Sequence, residues 1–221
     1  MNRLYSLAKV RRYTDFLVRE DRETKQKYSK IDYIQKRVLD YTMALSLSIF
    51  LSPIILYTIY RIKRESPGKI LFKQTRVGLN GEKFTCYKFR SMHENSHFNP
   101  YTEENDSRIF PYGRFMRKTR IDELAQLINI IKGDMHIVGP RAEWDILVDK
   151  YEKVIPDYNM RHNVKPGITG LAQVRYPYGR NAYDARRKLT YDMLYLDKWS
   201  ILLDFKVLLQ TVGVVLGKRG V

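Results

Sequence analysis

From Tyr41 to Tyr60 the chain reads YTMALSLSIFLSPIILYTIY, twenty residues without a formal charge. That length is enough to cross a hydrocarbon core as one helix. The segment starts forty residues in and no small-residue cleavage site follows it, so it does not read as a cleavable leader. Ser52-Pro53 interrupts it, and proline removes a backbone donor and breaks a helix. Bases stand on both sides. Residues 1–37 hold 11 Lys and Arg against 5 Asp and Glu, and Arg61, Lys63, Arg64, Lys69, Lys73 and Arg76 follow the segment. Basic flanks favour the cytoplasmic side. A helix that breaks at Ser52-Pro53 and turns back places both flanks there, and a straight one does not. Two other readings stand beside it: a Pro-kinked span with the N-terminal tail outside, and a buried helix of a soluble domain. Asp40, beside Lys36 and Arg37, reads as half of an interfacial ion pair.

The remaining pattern predicts shorter elements. Residues 1–35 mix charges with scattered apolar positions, as in a helix lying at a membrane surface. ILFKQTRV and EKFTCYKF flank Gly78-Leu79-Asn80-Gly81, a hairpin signature with Asn-Gly at the turn. Cys86 falls in the second strand, a packing position. Residues 93–107 are polar and read as a loop. A helix is predicted from Thr119, with Leu124, Leu127, Ile128 and Ile131 as its apolar stripe and Gly133 as its stop. A short helix is predicted within 143–162, and turns at Pro166-Gly167 and Gly170. The stretch from Asp184 to Leu216 is long and amphipathic, equally suited to a core helix and to an interfacial one. The expected organisation is a basic arm (1–35), a hydrophobic segment (36–62) and a second domain (63–221).

Composition changes this picture in one direction. Lys and Arg number 40 against 24 Asp and Glu in 221 residues, a net charge of +16. Such a balance seeks anionic partners: nucleic acid, phospholipid headgroups or phosphorylated metabolites. The mean hydropathy of -0.44 is that of a soluble protein, and the twenty uncharged residues outweigh it. One cysteine cannot form an intrachain disulfide.

Two clusters could carry chemistry. His93-Glu94-Asn95-Ser96-His97 matches the H-E-x-x-H zinc pattern, which needs a helix to bring both imidazoles to one face. Asn95, Ser96, Asn99 and Pro100 oppose a helix there, so zinc hydrolysis is not expected. Asp122-Glu123 follows Arg114, Arg117, Lys118 and Arg120. The plain reading is a capping box, with Thr119 as N-cap and acids at the positive helix end. The sharper reading is a dyad holding a divalent cation and a phosphate together. Arg141 in Gly139-Pro140-Arg141 and Arg180 in Gly179-Arg180-Asn181 stand on turns, where a guanidinium suits bidentate phosphate binding or a surface ion pair.

The order of segments resembles a known family. YKFRSM (87–92), RKTRIDELAQLINIIKGDM (117–135), VGPR (138–141), RHNVKPGITGLAQV (161–174) and YDMLYLDKWSILLDFKVLLQT (191–211) are similar to the bacterial sugar transferases, the monotopic phosphoglycosyl transferases. The resemblance covers about residues 33–217, and AQVRYPYG (172–179) with the TVGVVLGK ending is most like the exopolysaccharide-associated EpsB-type branch. It implies an α+β, mainly helical monotopic membrane protein with a reentrant helix-break-helix at Ser52 and Pro53, a small β-hairpin and amphipathic interfacial helices. It implies transfer of a phosphosugar from a nucleotide sugar, UDP-linked, to undecaprenyl phosphate with release of UMP, the initiating step of exopolysaccharide synthesis. Asp122 would be the nucleophile of a covalent intermediate, and Asp122 and Glu123 would hold Mg²⁺. Arg117, Arg141 and Arg180, with Lys88 and Arg90 on weaker grounds, fall where basic residues face substrate phosphates. The implied setting is the cytoplasmic face of a bacterial inner membrane, among anionic phospholipids. A homodimer is compatible with it; nucleic acid is not an expected partner. Two departures stand out: the usual P-R-P is Pro140-Arg141-Ala142, and the usual tryptophan of P-G-I-T-G-W-A-Q is Leu171. They keep in view an inert scaffold of the same fold, and the charge keeps in view a membrane-tethered polyanion binder.

Overall fold

The computed structural model describes residues 30–94, 96, 106–176 and 181–217. Most of the basic arm, His97 of the zinc-like pattern and Arg180 lie outside the described residues. The described chain is mainly helical, with one small antiparallel hairpin.

The hydrophobic segment forms two helices, α1 (Lys30–Phe50) and α2 (Ser52–Glu65), bent by 61°. Pro53 lies in the first turn of α2, where its missing N–H costs no bond, so proline starts the second helix. The pair extends beyond 36–62 at both ends. No single helix among the described residues is long and apolar enough to cross a membrane; the bent pair passes that test by length and composition.

Both helices return to the same body. On α1, Lys36, Asp40 and Ala44 are buried, one turn apart on one face; on α2, Thr58 and Ile62 are buried. Asp40 accepts from the Ile137 amide at 2.9 Å and bonds the His136 ring, while Lys36 Nζ meets Asp204 at 2.5 Å and the Tyr195 hydroxyl at 3.2 Å. The expected interfacial pair of Asp40 with Lys36 and Arg37 is therefore corrected. Positions 36 and 40 face inward, where a buried charge needs fixed partners, and Arg37 instead donates to the Ile130 carbonyl.

The hairpin forms as its pattern indicates. β1 (Leu71–Val77) pairs antiparallel with β2 (Lys83–Phe89), Leu71 opposite Phe89 and Val77 opposite Lys83. Asn80 takes the left-handed φ of 54° that Asn tolerates.

The stretch predicted as one helix from Thr119 is instead two pieces, with a separate helix ending where it was to begin. α3 (Pro111–Thr119) ends there, Arg120 turns left-handed at φ 61°, a 3-10 turn spans Ile121–Gln126, and α4 (Leu127–Lys132) stops at Gly133. Thr119 is no cap: its hydroxyl donates back to the Phe115 and Met116 carbonyls. β3 (His136–Val138) and β4 (Gly167–Thr169) pair in parallel, and between them lie α5 (Asp145–Glu152) and a 3-10 turn (Tyr158–Asn163).

α6 (Leu171–Arg175) precedes α7 (Ala182–Lys198) and α8 (Ile201–Leu216). The long amphipathic stretch is thus split at Trp199-Ser200, where the Ser200 side chain caps α8 by accepting from the Leu203 amide. Asp204 and Val207 point into the core, whereas Leu202, Phe205, Leu209 and Val212 lie exposed on the opposite side. The largest apolar cluster joins Ala44, Ile130, Val138, Leu171, Tyr195 and Val207, and so binds α1 to the C-terminal helices.

Candidate active site

Asp122 and Glu123 sit in the 3-10 turn that follows Arg120, both buried, with β2 packed across them. Lys88 of β2 reaches Glu123 Oε1 at 3.0 Å. Arg141, on the loop after β3, donates from Nη2 to Oε1 at 2.6 Å and from Nη1 to Oε2 at 3.4 Å. Arg120 Nη1 stands 3.7 Å from the same Oε1. One carboxylate thus anchors three cations.

The two acids differ sharply. Burial pushes Glu123 upward, but the charges of Arg141 and Lys88 and the Arg141 hydrogen bond hold it well below the usual carboxylate range. Burial raises Asp122, and the neighbouring Glu123 charge adds to that, against the pull of Lys88, Arg117 and Arg120. Asp122 Oδ1 has no hydrogen-bond partner among the described residues. An acceptor buried without a partner is costly and calls for a reason, of which a catalytic role is one.

Of the predicted residues, Asp122, Glu123, Lys88, Arg117 and Arg141 come together. Arg90 does not. It lies just past the end of β2, where the strand alternation that aims Lys88 no longer applies. It donates instead to Ser66 Oγ at 2.7 Å and to the Ser66 and Lys69 carbonyls, tying the end of α2 to the hairpin. Arg120 joins the site although its sequence marked it only as a flanking base; its left-handed backbone has no sequence signal without a glycine. Cys86 is buried and its thiol is pushed up by desolvation, as suits packing. Leu171 faces the large apolar cluster, and Ala142 is buried with its carbonyl taken by Arg76.

Four cations around two carboxylates leave two positive charges in excess, the complement of a phosphate or pyrophosphate. That balance is one a phosphate-handling class of protein needs. Within that class, the chain belongs to the bacterial sugar transferase family, whose profile matches residues 31–218. It is 42% identical over 183 residues to the UDP-N-acetylgalactosamine-undecaprenyl-phosphate N-acetylgalactosaminephosphotransferase of Aeromonas hydrophila, covering 82% of this chain and 43% of that protein. It is 42% identical over 188 residues to the uncharacterized sugar transferase EpsL of Bacillus subtilis, covering 85% and 90%. With the UDP-glucose:undecaprenyl-phosphate glucose-1-phosphate transferase of Caulobacter vibrioides it shares 40% identity over 183 residues, covering 81% and 68%. The chain thus spans less than half of the Aeromonas relative and most of the Bacillus one.

Proposed function

We propose that this protein transfers a phosphosugar from a UDP-sugar to undecaprenyl phosphate and releases UMP, initiating exopolysaccharide or a related glycoconjugate. The observation that carries this reading is the division of labour in the dyad: Glu123 takes the cations, and Asp122 Oδ1 is left free to react. In the first step an Asp122 carboxylate oxygen attacks the sugar-side phosphorus. The P–O bond to UMP breaks, and UMP leaves with the bonding pair. In the second step a phosphate oxygen of undecaprenyl phosphate attacks the same phosphorus and Asp122 departs as carboxylate. Covalent catalysis of this kind divides one displacement into two. Arg117, Arg120, Arg141 and Lys88 offset charge on the phosphoryl oxygens. Arg180, outside the described residues, is assigned the same task from its motif alone.

Asp122 Oδ1 and Glu123 Oε2, which among the described residues has the long 3.4 Å contact with Arg141, are two acidic oxygens that fit Mg²⁺, an ion satisfied by one or two carboxylates, waters and substrate phosphates. Bound there, Mg²⁺ would supply charge neutralisation on the transferring phosphoryl group.

The membrane reading is supported by packing. Only residues 45–57 separate buried Ala44 from buried Thr58. At 1.5 Å per residue in each arm the loop reaches about 10 Å, far less than a hydrocarbon core. A reentrant pair in one leaflet, with the 63–221 domain on the cytoplasmic face of the inner membrane and anionic phospholipid around the basic arm 1–35, fits that reach. The test is to incubate detergent-solubilised protein with a panel of UDP-sugars, undecaprenyl phosphate and Mg²⁺ and to measure UMP. Release with one sugar, lost in Asp122→Asn, is the expected result. No release with any sugar, alongside binding to polyanions, would favour the inert or polyanion-binding readings.

A further inference from the structure

The segment from Pro140 to Glu143 has four successive carbonyls, each with a donor of different origin. Pro140 O accepts from the Gly167 amide at 2.8 Å, and Glu143 O from the Val77 amide at 3.1 Å. Between them the chain runs from the end of the β3–β4 pair to the end of β1. Here side chains supply the donors. Arg141 O accepts from Arg161 Nη2 at 2.9 Å, and Ala142 O from Arg76 Nη1 at 2.9 Å. Arg161 is itself fixed by Asp192 at 2.9 Å on α7 and by the Tyr158 hydroxyl at 2.6 Å. Upstream, Gly139 packs so closely on the chain entering β4 that a Cβ would stand 2.7 Å from the Lys165 carbonyl and 2.8 Å from the Gly167 amide nitrogen.

We propose that Arg76 and Arg161 are positioning residues for Arg141: their guanidinium groups grip its own carbonyl and that of the next residue, Ala142, and so hold the turn that aims the Arg141 guanidinium at the dyad. This rests on the reaction proposed above. The device suits a turn in which Ala142, a residue without proline's fixed φ, follows Arg141. Each guanidinium holds its carbonyl with one arm of the fork and a second partner, Tyr158 or Gln74, with the other, which an ammonium, a point charge lacking the planar fork, does not reproduce. Neither residue carries the reaction, because Arg161 bonds the carbonyl of Arg141 and Arg76 that of Ala142, and neither bonds the dyad.

The test is a double-mutant cycle in the full chain, read as kcat/KM for UMP release together with the thermal midpoint. Arg161→Lys keeps a charge beside Asp192, and we expect it to lower kcat/KM by about 10- to 100-fold, the scale of a small misplacement of a catalytic group, with a near-native midpoint. In an Arg141→Ala background the same change should cost no further activity. Arg76→Lys, run through the same cycle, replaces it if Arg161→Lys does not fold. An undiminished loss in the Arg141→Ala background would overturn the proposal, since the residues would then act elsewhere. If the wild-type protein does not release UMP, the reaction fails and positioning is read separately. Amide hydrogen exchange in Arg161→Lys should accelerate within residues 139–143 and not across the domain; unchanged or general exchange would contradict it.

Discussion

Arg141 Nη2 lies 2.6 Å from Glu123 Oε1, an ion pair that joins the loop after β3 to the 3-10 turn bearing the dyad. It fixes the guanidinium beside Asp122, one residue earlier in the chain, whose Oδ1 stays without a partner among the described residues. Removing an oriented donor of this kind costs about 10²- to 10³-fold in rate. Arg141→Ala should therefore lower kcat/KM by that order, and Arg141→Lys should recover little of it. Steady-state UMP release checks both.

The pH profile should report Asp122. Burial raises its pKa above the ordinary carboxylate value near 3.9, and the nucleophile must be ionised. Activity should fall as pH drops through that raised value. Lys88, Arg117 and Arg120 each pull the pKa down, so Arg120→Ala should move the acid limb of kcat to higher pH. A limb that stays in place or moves down would remove Asp122 from the titration. Glu123 runs the other way: its depressed pKa stabilises the fold at neutral pH, and that share is lost only as pH falls below the normal Glu range.

The clasp between the hydrophobic helix and the body is expected to be a stability element. Lys36→Met leaves the Asp204 carboxylate buried without its cation and should cost about 3 kcal/mol in detergent unfolding. The double change Lys36→Met with Asp204→Leu should recover much of this loss, since apolar replacement of a buried pair is often neutral. Asp40→Ala, which strips the Ile137 amide and His136 of their acceptor, should destabilise more than Asp40→Asn.

Topology can be read with single cysteines in a Cys86→Ser background. Gln35 and Lys69 are exposed and lie on either side of the bent pair. Cysteines at both positions should resist an impermeant thiol reagent in intact cells and react once the membrane is opened. Labelling at position 35 alone from outside would establish a span.

Much of this architecture was legible in the sequence, and its gaps have physical causes. The break at Ser52-Pro53 was visible because proline interrupts twenty uncharged residues, and the hairpin because Asn-Gly separates two strand-like runs. The 3-10 turn under the dyad was not, because Arg120 adopts a left-handed backbone that glycine or asparagine usually signals. β3 and β4 are three residues each, too short for alternation to show. Asp40 looked interfacial because its partners, His136 and the Ile137 amide, are nearly a hundred residues away. Arg90 shared a motif with Lys88 but not its direction, since β2 ends between them. Charge pattern identified which residue types gather at the site; only the fold shows that Glu123 is the anchor and Asp122 the open one.

The most direct measurement is on Asp122 itself, with a sugar-labelled UDP-sugar and Mg²⁺ supplied in the absence of undecaprenyl phosphate. A covalent route predicts one equivalent of UMP in a burst and one labelled phosphosugar per chain, mapped to the peptide carrying Asp122 and absent from Asp122→Asn. UMP release that requires the lipid phosphate, with no label on the protein at any time, would contradict the two-step mechanism and leave direct displacement in its place.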